Sequence, residues 1–391
     1  MEPVLLAGVS MRAAAASALR AGFEPWTVDA FRDLDCVWPG KRAPFDAQGR
    51  FDAWLAWWKA RRIGAHAVVY GSGFEDEPRV VQFLSHGRSL WGNPPDVLRE
   101  VRSPVTLLGG LARGGYRVPR VFEPRGDDVV PPARVAWIEK PVRSGGGNRV
   151  RRWTSGSVIS DGCYLEEFID GTPGSIVFAA SKGGAVALGI SRQLTGDPAF
   201  GASGYRYCGS ILSHPAGLFE QGVSVASTAH AMAQTLARDY ALVGLNGLDF
   251  VASRGVAYPL EVNPRWSSSM ELVERAHGIS MFQLHALACS RGELPVDRAR
   301  LCMRRAVGKA IVFARWGVMV RHARQVLGGL DVADLPRSRT WIGPGEPICT
   351  VFAEAGDPTT CYRRLVEQAA VIYERARQWM PLTALLTRRH A

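Results

Sequence analysis

The chain has 391 residues, of which 47% are hydrophobic and 21% are charged, and its formal net charge is +11. This length favours two or three domains, and the composition is typical of a soluble globular protein. No apolar run is long enough to cross a bilayer, so we expect a cytoplasmic protein with no membrane partner.

The basic residues and the cysteines argue against several kinds of site. Only five of the 47 basic residues are lysines, and the arginines are spread along the chain, with short clusters such as RVRR at 149–152. The positive charge permits nucleic-acid binding, but this pattern favours nucleotides or polyanionic substrates, and we expect no nucleic-acid partner. The seven cysteines are scattered and include no CxxC pair, so neither a zinc site nor a disulfide framework is predicted.

The first part of the chain alternates apolar runs with helical periodicity. The predicted elements are, in order, a strand at 3–8, an Ala-rich helix at 11–22, a strand at 25–31 with Asp29 near its end, a helix at 51–62 and a strand at 65–73. This alternation predicts an open parallel sheet.

The rest of the chain changes character twice. Residues 134–265 are rich in strands and glycine turns, and residues 270–294 have the periodicity of two helices. Beyond about residue 296 the sequence has apolar runs at 309–315 and 347–356, a disorder-compatible stretch around 331–338, and a long helix at 359–379. We therefore predict three regions, at 1–95, 96–295 and 296–391.

The stretch WIEKPVRSGGGNRV at 137–150 is the first that can carry chemistry. A predicted strand bears Lys140, and a turn of three glycines, Gly145 to Gly147, follows it. Glycines let the backbone approach an anion closely with its N–H groups free, and the lysine adds a compact positive charge. The pattern is not a Walker A loop. A plain hairpin turn is the alternative interpretation.

A second stretch, CYLEEFIDGTPGS at 163–175, contains adjacent carboxylates on a predicted strand. Glu166 and Glu167 point to opposite faces because side chains alternate along a strand. The strand is either an edge strand with a solvated acid or a linker whose backbone hydrogen-bonds a flat purine.

The third stretch, LEVNPRWSSSMEL at 260–272, places polar residues where a buried strand ends. Asp249 and Glu261 fall at matched positions of a predicted hairpin turned at 253–255, and Asn263 shares the face of Glu261. Two carboxylates and an amide oxygen suit magnesium, whereas two buried acids without a cation repel. A solvated loop start is the other interpretation.

In this order the segments KPVRSGGGNRV, LEEFIDG and LDF…LEVNPRWSSSMELVERAHG resemble the ATP-grasp superfamily, in its branch of carboxylate–amine ligases and biotin-carboxylase-like carboligases. The resemblance covers about residues 95–290. It implies an α/β and α+β fold class: an ATP-grasp fold preceded by an open parallel α/β (pre-ATP-grasp) domain. The tail is similar to the small C-terminal α+β piece of biotin-carboxylase-like members.

The resemblance also implies roles for individual residues. The implied nucleotide-binding residues are Arg102, Lys140, Ser144, Gly145, Gly146, Gly147, Glu166, Glu167 and Ile169, with Arg102 standing in for a phosphate-binding lysine that the family usually has upstream. The implied metal ligands are Asp249, Glu261 and Asn263, which hold one or two Mg²⁺ ions, with Mn²⁺ as a possible substitute. Arg265 and Lys140 are the implied catalytic residues.

The implied reaction is Mg·ATP-dependent. A carboxylate is phosphorylated to an acyl phosphate and joined to an amine, with release of ADP and phosphate. The expected partners are ATP, a small-molecule carboxylate and an amine, and a homodimer is a possible assembly. The alternatives are a biotin-carboxylase-like carboxylase and a protein that binds ATP without turnover. His277 and His285 are each either a general base or an ordinary core or surface histidine.

Overall fold

A computed structural model of the chain describes residues 1–379 apart from 44, 47–49, 124–130, 133, 295–300, 302 and 304. Its first sheet is parallel, in the order β3-β2-β1-β4-β5. The strands are β1 Glu2–Ala7, β2 Phe23–Asp29, β3 Gly40–Arg42, β4 Ala67–Tyr70 and β5 Ser89–Leu90. Its helices are α1 Arg12–Arg20, α2 Ala53–Ala60 and α3 Pro78–Leu84.

Strand β1 shows why this sheet is covered on both faces. Its side chains alternate, so Leu5 and Ala7 pack with α2 and α3 while Val4 and Leu6 pack with α1. The alanines of α1 allow close approach of helix and sheet. A continuous apolar strand is what a parallel sheet between two helix layers requires.

A four-stranded sheet follows, in the order β6-β9-β7-β8. It is preceded by α4 Pro95–Val101 and α5 Pro104–Arg113, and its strands are β6 Val121–Phe122, β7 Trp137–Pro141, β8 Arg151–Arg152 and β9 Cys163–Glu167. Strand β7 bears Lys140 and lies between β8 and β9, and both pairings are antiparallel.

The largest sheet is antiparallel and has eight strands, in the order β14-β13-β10-β11-β12-β15-β19-β17. The strands are β10 Thr172–Ser181, β11 Gly184–Thr195, β12 Tyr207–Leu212, β13 Gly244–Ser253, β14 Val256–Asn263, β15 Ala306–Phe313, β17 Val332–Ala333 and β19 Pro347–Ala355, with a separate pair formed by β16 Val318–Met319 and β18 Trp341–Ile342. The remaining helices are α6 Gly222–Asp239, α7 Ser268–His277, α8 Met281–Ser290, α9 Ala323–Val326 and α10 Pro358–Ala376.

Strand β10 forms the centre of the core because both of its faces are covered. Ile176 and Phe178 pack beneath α6, whereas Val177 and Ala179 pack on the other side with α8 and the N-terminal region. The eight-stranded sheet is therefore a middle layer that holds β13 and β14 rigidly.

The fold class is the predicted one, with a parallel sheet, a separate four-stranded sheet and a large antiparallel sheet. The predicted boundary between 295 and 296 lies outside the described residues, and the eight-stranded sheet continues beyond it through β15, β19 and β17. The predicted region limits remain a prediction. Among the described residues, no helix combines the length and apolarity that a membrane span requires.

The stretch around 331–338, predicted to be compatible with disorder, packs against the N-terminal region instead. Leu34 donates its N–H to the Leu335 carbonyl at 2.8 Å, and the Asp35 carboxylate accepts the N–H groups of Asp334 at 2.9 Å and Leu335 at 3.0 Å. The polar residues of this segment therefore form hydrogen bonds to a part of the chain that is distant in sequence. Such contacts cannot be predicted from the local sequence.

Candidate active site

One cavity of about 2360 Å³ lies between the four-stranded sheet, the eight-stranded sheet and the parallel sheet. Every residue predicted for the site lines it: Arg102, Lys140, Ser144, Gly145, Gly146, Gly147, Glu166, Glu167, Ile169, Asp249, Glu261, Asn263 and Arg265. The three stretches singled out in the sequence therefore face one space.

Lys140 and Glu166 form a buried ion pair across β7 and β9. The Lys140 Nζ lies 3.1 Å from both Glu166 carboxylate oxygens, and Tyr164 donates to the same carboxylate at 3.4 Å. Burial opposes charge on the lysine, but Glu166 outweighs it and raises the pKa of Lys140. The ammonium group is thus fixed in its charged form at the cavity wall, where an anionic phosphate would be attracted to it.

The two adjacent acids of β9 do face opposite ways, as alternation along the strand predicts. Glu166 is fully buried, whereas the Glu167 carboxylate is partly exposed and accepts the N–H of Arg120 at 3.1 Å. The backbone N–H of Glu167 donates to the Arg120 carbonyl at 2.9 Å and that of Phe168 to Ala136 at 2.7 Å. Within the described part of the chain, the N–H of Ile169 has no acceptor, so it is available to a purine.

The glycine turn is fixed by contact with the loop before β12. Tyr207 donates its N–H to the Gly146 carbonyl at 2.9 Å. Gly147 has φ +72°, and a Cβ at this position would lie 1.9 Å from the Tyr205 carbonyl oxygen. The turn therefore needs glycine at 147 for two reasons, a left-handed backbone and a close backbone approach.

Replacing Gly147 by Ala is expected to displace the turn and lower ATP affinity by about tenfold or more. The reason is that the loss of one hydrogen bond from a backbone N–H of the turn to a charged phosphate costs on the order of 1.5 kcal/mol. Gly356→Ala is the control, because a Cβ there meets nothing within 4 Å and the residue is not part of the cavity lining. Equilibrium binding of ATP to both variants measures the difference. Equal affinity of the two variants would contradict a role for the turn in nucleotide binding.

Asp249 and Glu261 stand directly opposite each other on β13 and β14. A β-bulge between Asp249 and Phe250 makes this possible: without it, counting from the turn, Asp249 would face Leu260. The Asp249 carboxylate accepts from Gln193 Nε2 and Asn263 Nδ2, each at 3.0 Å. The bulge thus brings two carboxylates to one surface of the cavity.

The two acids fit a divalent cation. Burial, followed by repulsion from Glu261, raises the pKa of Asp249 to about 6. A cation would relieve both effects and hold both carboxylates ionised. In the described ranges, no group of three or more His, Cys, Asp or Glu side chains is placed around one metal position. Further ligands would therefore come from oxygens other than carboxylates.

Asn263 and Arg265 are linked to each other. Arg265 Nη2 donates to the Asn263 amide oxygen at 2.9 Å, and the same guanidinium forms a buried salt bridge with Glu75 at 2.6 Å. The amide oxygen expected as a metal ligand thus already accepts one hydrogen bond. It would share its remaining lone pair with a cation.

Arg102 contacts both the acidic side chains and the loop that carries the glycine turn. It bonds Asp76 at 3.0 Å, Glu261 at 3.2 Å and the backbone carbonyl of Ser144 at 3.2 Å. Its guanidinium therefore lies between the paired acids and the glycine turn. A guanidinium in this place can form two parallel hydrogen bonds to a phosphate, so the position is compatible with the predicted role.

Residues 110–269 match the model of the ATP-grasp domain family, a range that includes the glycine turn, β9, the β13–β14 hairpin and Arg265. This part of the chain is an ATP-grasp domain. Among curated proteins, none matches the chain at a significant level.

Solved structures of low sequence identity share the ATP-grasp fold. An L-amino acid ligase from Bacillus licheniformis is 16% identical with a TM-score of 0.67, over 94% of this chain and 97% of that one. A 2-oxoglutarate carboxylase biotin carboxylase domain dimer from Hydrogenobacter thermophilus, in complex with MgADP, ADP and bicarbonate, is 13% identical with a TM-score of 0.71, over 93% and 88%. Rhizobium etli pyruvate carboxylase is 16% identical with a TM-score of 0.72, over 94% of this chain, which spans 37% of that protein's length.

Several residues of the candidate site were not predicted from the sequence. Glu75 and Asp76 follow β4 and bind Arg265 and Arg102, respectively. The carboxyl ends of parallel strands are the edge of a sheet at which ligands usually bind, so Glu75 and Asp76 could have been predicted from their position after β4. Gln193 could not have been predicted, because its contact with Asp249 depends on the register of three strands.

His285 is a core histidine. Its Nδ1 accepts the N–H of Leu245 at 2.9 Å and its Nε2 lies 3.1 Å from the Trp91 carbonyl. Burial lowers the pKa of His285 to about 4, so the imidazole stays neutral between two backbone groups. These contacts support the structural interpretation over the general base.

Proposed function

We propose that this chain is an ATP-grasp protein and a Mg·ATP-dependent ligase that phosphorylates a carboxylate and joins the acyl phosphate to an amine, forming a C–N bond. The observation that carries the proposal is the convergence on one cavity of the cations Arg102, Lys140 and Arg265 with the Asp249–Glu261 pair. The match to the ATP-grasp domain family supports ATP as the nucleotide.

The proposed roles of the individual residues follow from their charges. Phosphoryl transfer needs positioning and neutralisation of spreading charge more than covalent catalysis. Lys140 and Arg102 would hold the phosphates from two sides, with the glycine turn folded over them. Arg265, held by Glu75 and Asn263, would face the transferred phosphoryl group or the substrate acid. Mg²⁺ held by Asp249 and Glu261 would supply charge neutralisation at the phosphate oxygens.

A biotin-carboxylase-like reaction is the second candidate. It is favoured by the likeness to the Hydrogenobacter carboxylase domain, whose structure contains MgADP and bicarbonate. In this candidate bicarbonate replaces the organic acid, and the same cations serve the phosphoryl transfer. That domain is a dimer, which supports a homodimer as the assembly of this chain.

Both candidates are tested by one panel. Organic acids and bicarbonate are each combined with amines, and ADP formation and the products are measured with Mg·ATP. Amide formation that requires both an acid and an amine is the expected result. ADP formation that depends on bicarbonate and yields a carboxylated product would favour the carboxylase, and no acid-dependent turnover with any pair would contradict both.

Replacing Arg265 by Lys is expected to lower kcat by about ten- to a hundredfold and to change the KM for ATP less than about threefold, because one compact charge cannot reproduce the guanidinium contacts. Lysine keeps a positive charge beside buried Glu75, so the fold is preserved. Steady-state kinetics separates the two parameters. A large rise in the KM for ATP at unchanged kcat would make Arg265 a nucleotide anchor instead.

A further inference from the structure

A small acidic surface lies in the same cavity, apart from the phosphate-facing residues. The loop after β2 brings Asp33 to the carboxyl end of the parallel sheet. The segment after β17 brings Asp334 near the same loop, where Asp334 donates its N–H to Asp35 Oδ2 at 2.9 Å and its carboxylate repels that of Asp33. Both side chains line the cavity, together with Phe31. The carboxyl ends of parallel strands are the edge at which such sheets bind ligands.

The acidic neighbours of Asp33 are held in place by other contacts. Asp334 accepts from Arg12 Nε at 2.7 Å and from Thr350 Oγ1 at 2.6 Å. Asp35 accepts two backbone N–H groups of the segment after β17, and Asp29 accepts the N–H of Arg32 at 2.8 Å. These carboxylates therefore cannot move away from Asp33 without breaking their own hydrogen bonds.

The nearby cations are already engaged. Arg12 bonds Asp334 and also Glu271, at 2.7 Å, and Lys309 bonds the same Glu271 at 2.8 Å. The guanidinium of Arg32 donates to Thr27 Oγ1 at 3.3 Å and to the Trp38 carbonyl at 3.2 Å. Glu271 and Asp334 are thus compensated by Arg12 and Lys309, and among the described residues no cation forms an ion pair with Asp33.

Asp33 itself is 8% exposed, and its carboxylate makes no hydrogen bond or ion pair with any residue that the structure describes. Burial first, then Asp334, Asp35 and Asp29, raise the pKa of Asp33 to about 8, with Arg12 offsetting part of the rise. A buried carboxylate without a partner costs stability, which a bound cation would recover.

We propose that Asp33 and Asp334 form the subsite that holds the ammonium group of the amine substrate. The nitrogen must lose one proton before it attacks the acyl phosphate, and Asp33 is placed to accept that proton. The proposal rests on the ligase function and assigns to it a place and a chemical class of substrate: a primary ammonium ion whose carbon skeleton lies along Phe31. An organic cation is favoured over a metal ion because the ring of Phe31, which lines the cavity with the two acids, offers apolar surface to a carbon skeleton and no ligand to a metal.

Direct binding tests the subsite without turnover. The probes are the hydrochlorides of propylamine, phenethylamine and glycinamide, titrated calorimetrically at pH 7 with 1-propanol as the uncharged comparison. At least one amine is expected to bind the wild-type protein, and Asp33→Asn is expected to weaken that binding about tenfold or more. Glu77→Gln is the matched control, since Glu77 lines the same cavity but pairs with Arg143 at 3.2 Å.

The thermal stability of Asp33→Asn shows whether the variant is folded. Because the pKa of Asp33 is raised to about 8 in the fold, its carboxylate must take up a proton to fold at pH 7, which costs stability. Asn does not have this cost, so the thermal midpoint of Asp33→Asn at pH 7 should equal or exceed that of the wild type. The subsite is overturned if none of the amines binds better than 1-propanol, or if Asp33→Asn binds them as tightly as Glu77→Gln does.

Kinetics separates this proposal from the function on which it rests. With an active acid–amine pair, Asp33→Asn should raise the KM for the amine at least about tenfold and leave those for ATP and the acid within about twofold. Unchanged KM for the amine would reject the subsite alone. Amine binding that depends on Asp33, in a protein that forms no amide, would reject the ligase alone.

Discussion

Replacing Asp249 by Asn is expected to lower Mg·ATP-dependent ADP release at least about a hundredfold and to leave the fold intact. The carboxylate is partly buried, and Glu261 stands opposite it on β14, so an amide leaves a single acid to hold the cation. ADP release is measured at saturating Mg·ATP with the active acid and amine. Glu346→Gln is the control, because that cavity-lining carboxylate is bonded locally to the N–H of Gly343.

The pH dependence of stability in the metal-free protein tests the charge on Asp249. Because the pKa of Asp249 is about 6 when folded and about 3.9 when unfolded, ionisation costs stability as pH rises through that interval. Metal-free Asp249→Asn should therefore be at least as stable as the wild type at pH 7. In the wild type, Mg²⁺ affinity should fall as pH drops below about 6, since protons then compete for the site. Retained turnover in the variant would reject the metal assignment.

Lys140→Met is expected to destabilise the protein by about 3–5 kcal/mol, because Glu166 would remain buried without its partner. The two side chains are 13% and 0% exposed, and the N–O distance is 3.1 Å, so solvent cannot replace the lysine. Urea-induced unfolding followed by tryptophan fluorescence measures the loss. ATP affinity should fall in parallel, since the cavity loses a fixed positive charge.

The double variant Lys140→Met/Glu166→Leu separates the two effects. Replacing both members of a buried ion pair by apolar side chains is often neutral, so most of the lost stability should return. ATP affinity should stay low, because neither substitution restores a phosphate-binding charge. Recovery of ATP binding together with stability would show that Lys140 serves the fold and not the nucleotide.

Local patterns in the sequence predicted much of this architecture. The alternation of strand and helix predicted the parallel sheet, and the alternation of side chains placed Glu166 and Glu167 on opposite faces. The pairing of Asp249 with Glu261 was also predicted, although the hairpin achieves it through a bulge that simple counting from the turn does not contain.

Long-range contacts could not be predicted. Arg102 meets Ser144 and Glu261 across 42 and 159 residues of chain, and Asp334 meets Arg12 across 322. Periodicity reports which face of an element is buried, but it does not report which distant element covers that face. For this reason Asp33 and the polar segment around 331–338 had no visible role until the fold placed them beside each other.

The most direct test of the proposed metal site is a crystal structure with Mn²⁺ and a non-hydrolysable ATP analogue. Anomalous scattering locates the metal, which is expected within about 2.5 Å of carboxylate oxygens of Asp249 and Glu261. The triphosphate should run from this metal to Lys140 beneath the turn at Gly145 to Gly147. A metal or triphosphate bound away from the β13–β14 hairpin would contradict the proposed site.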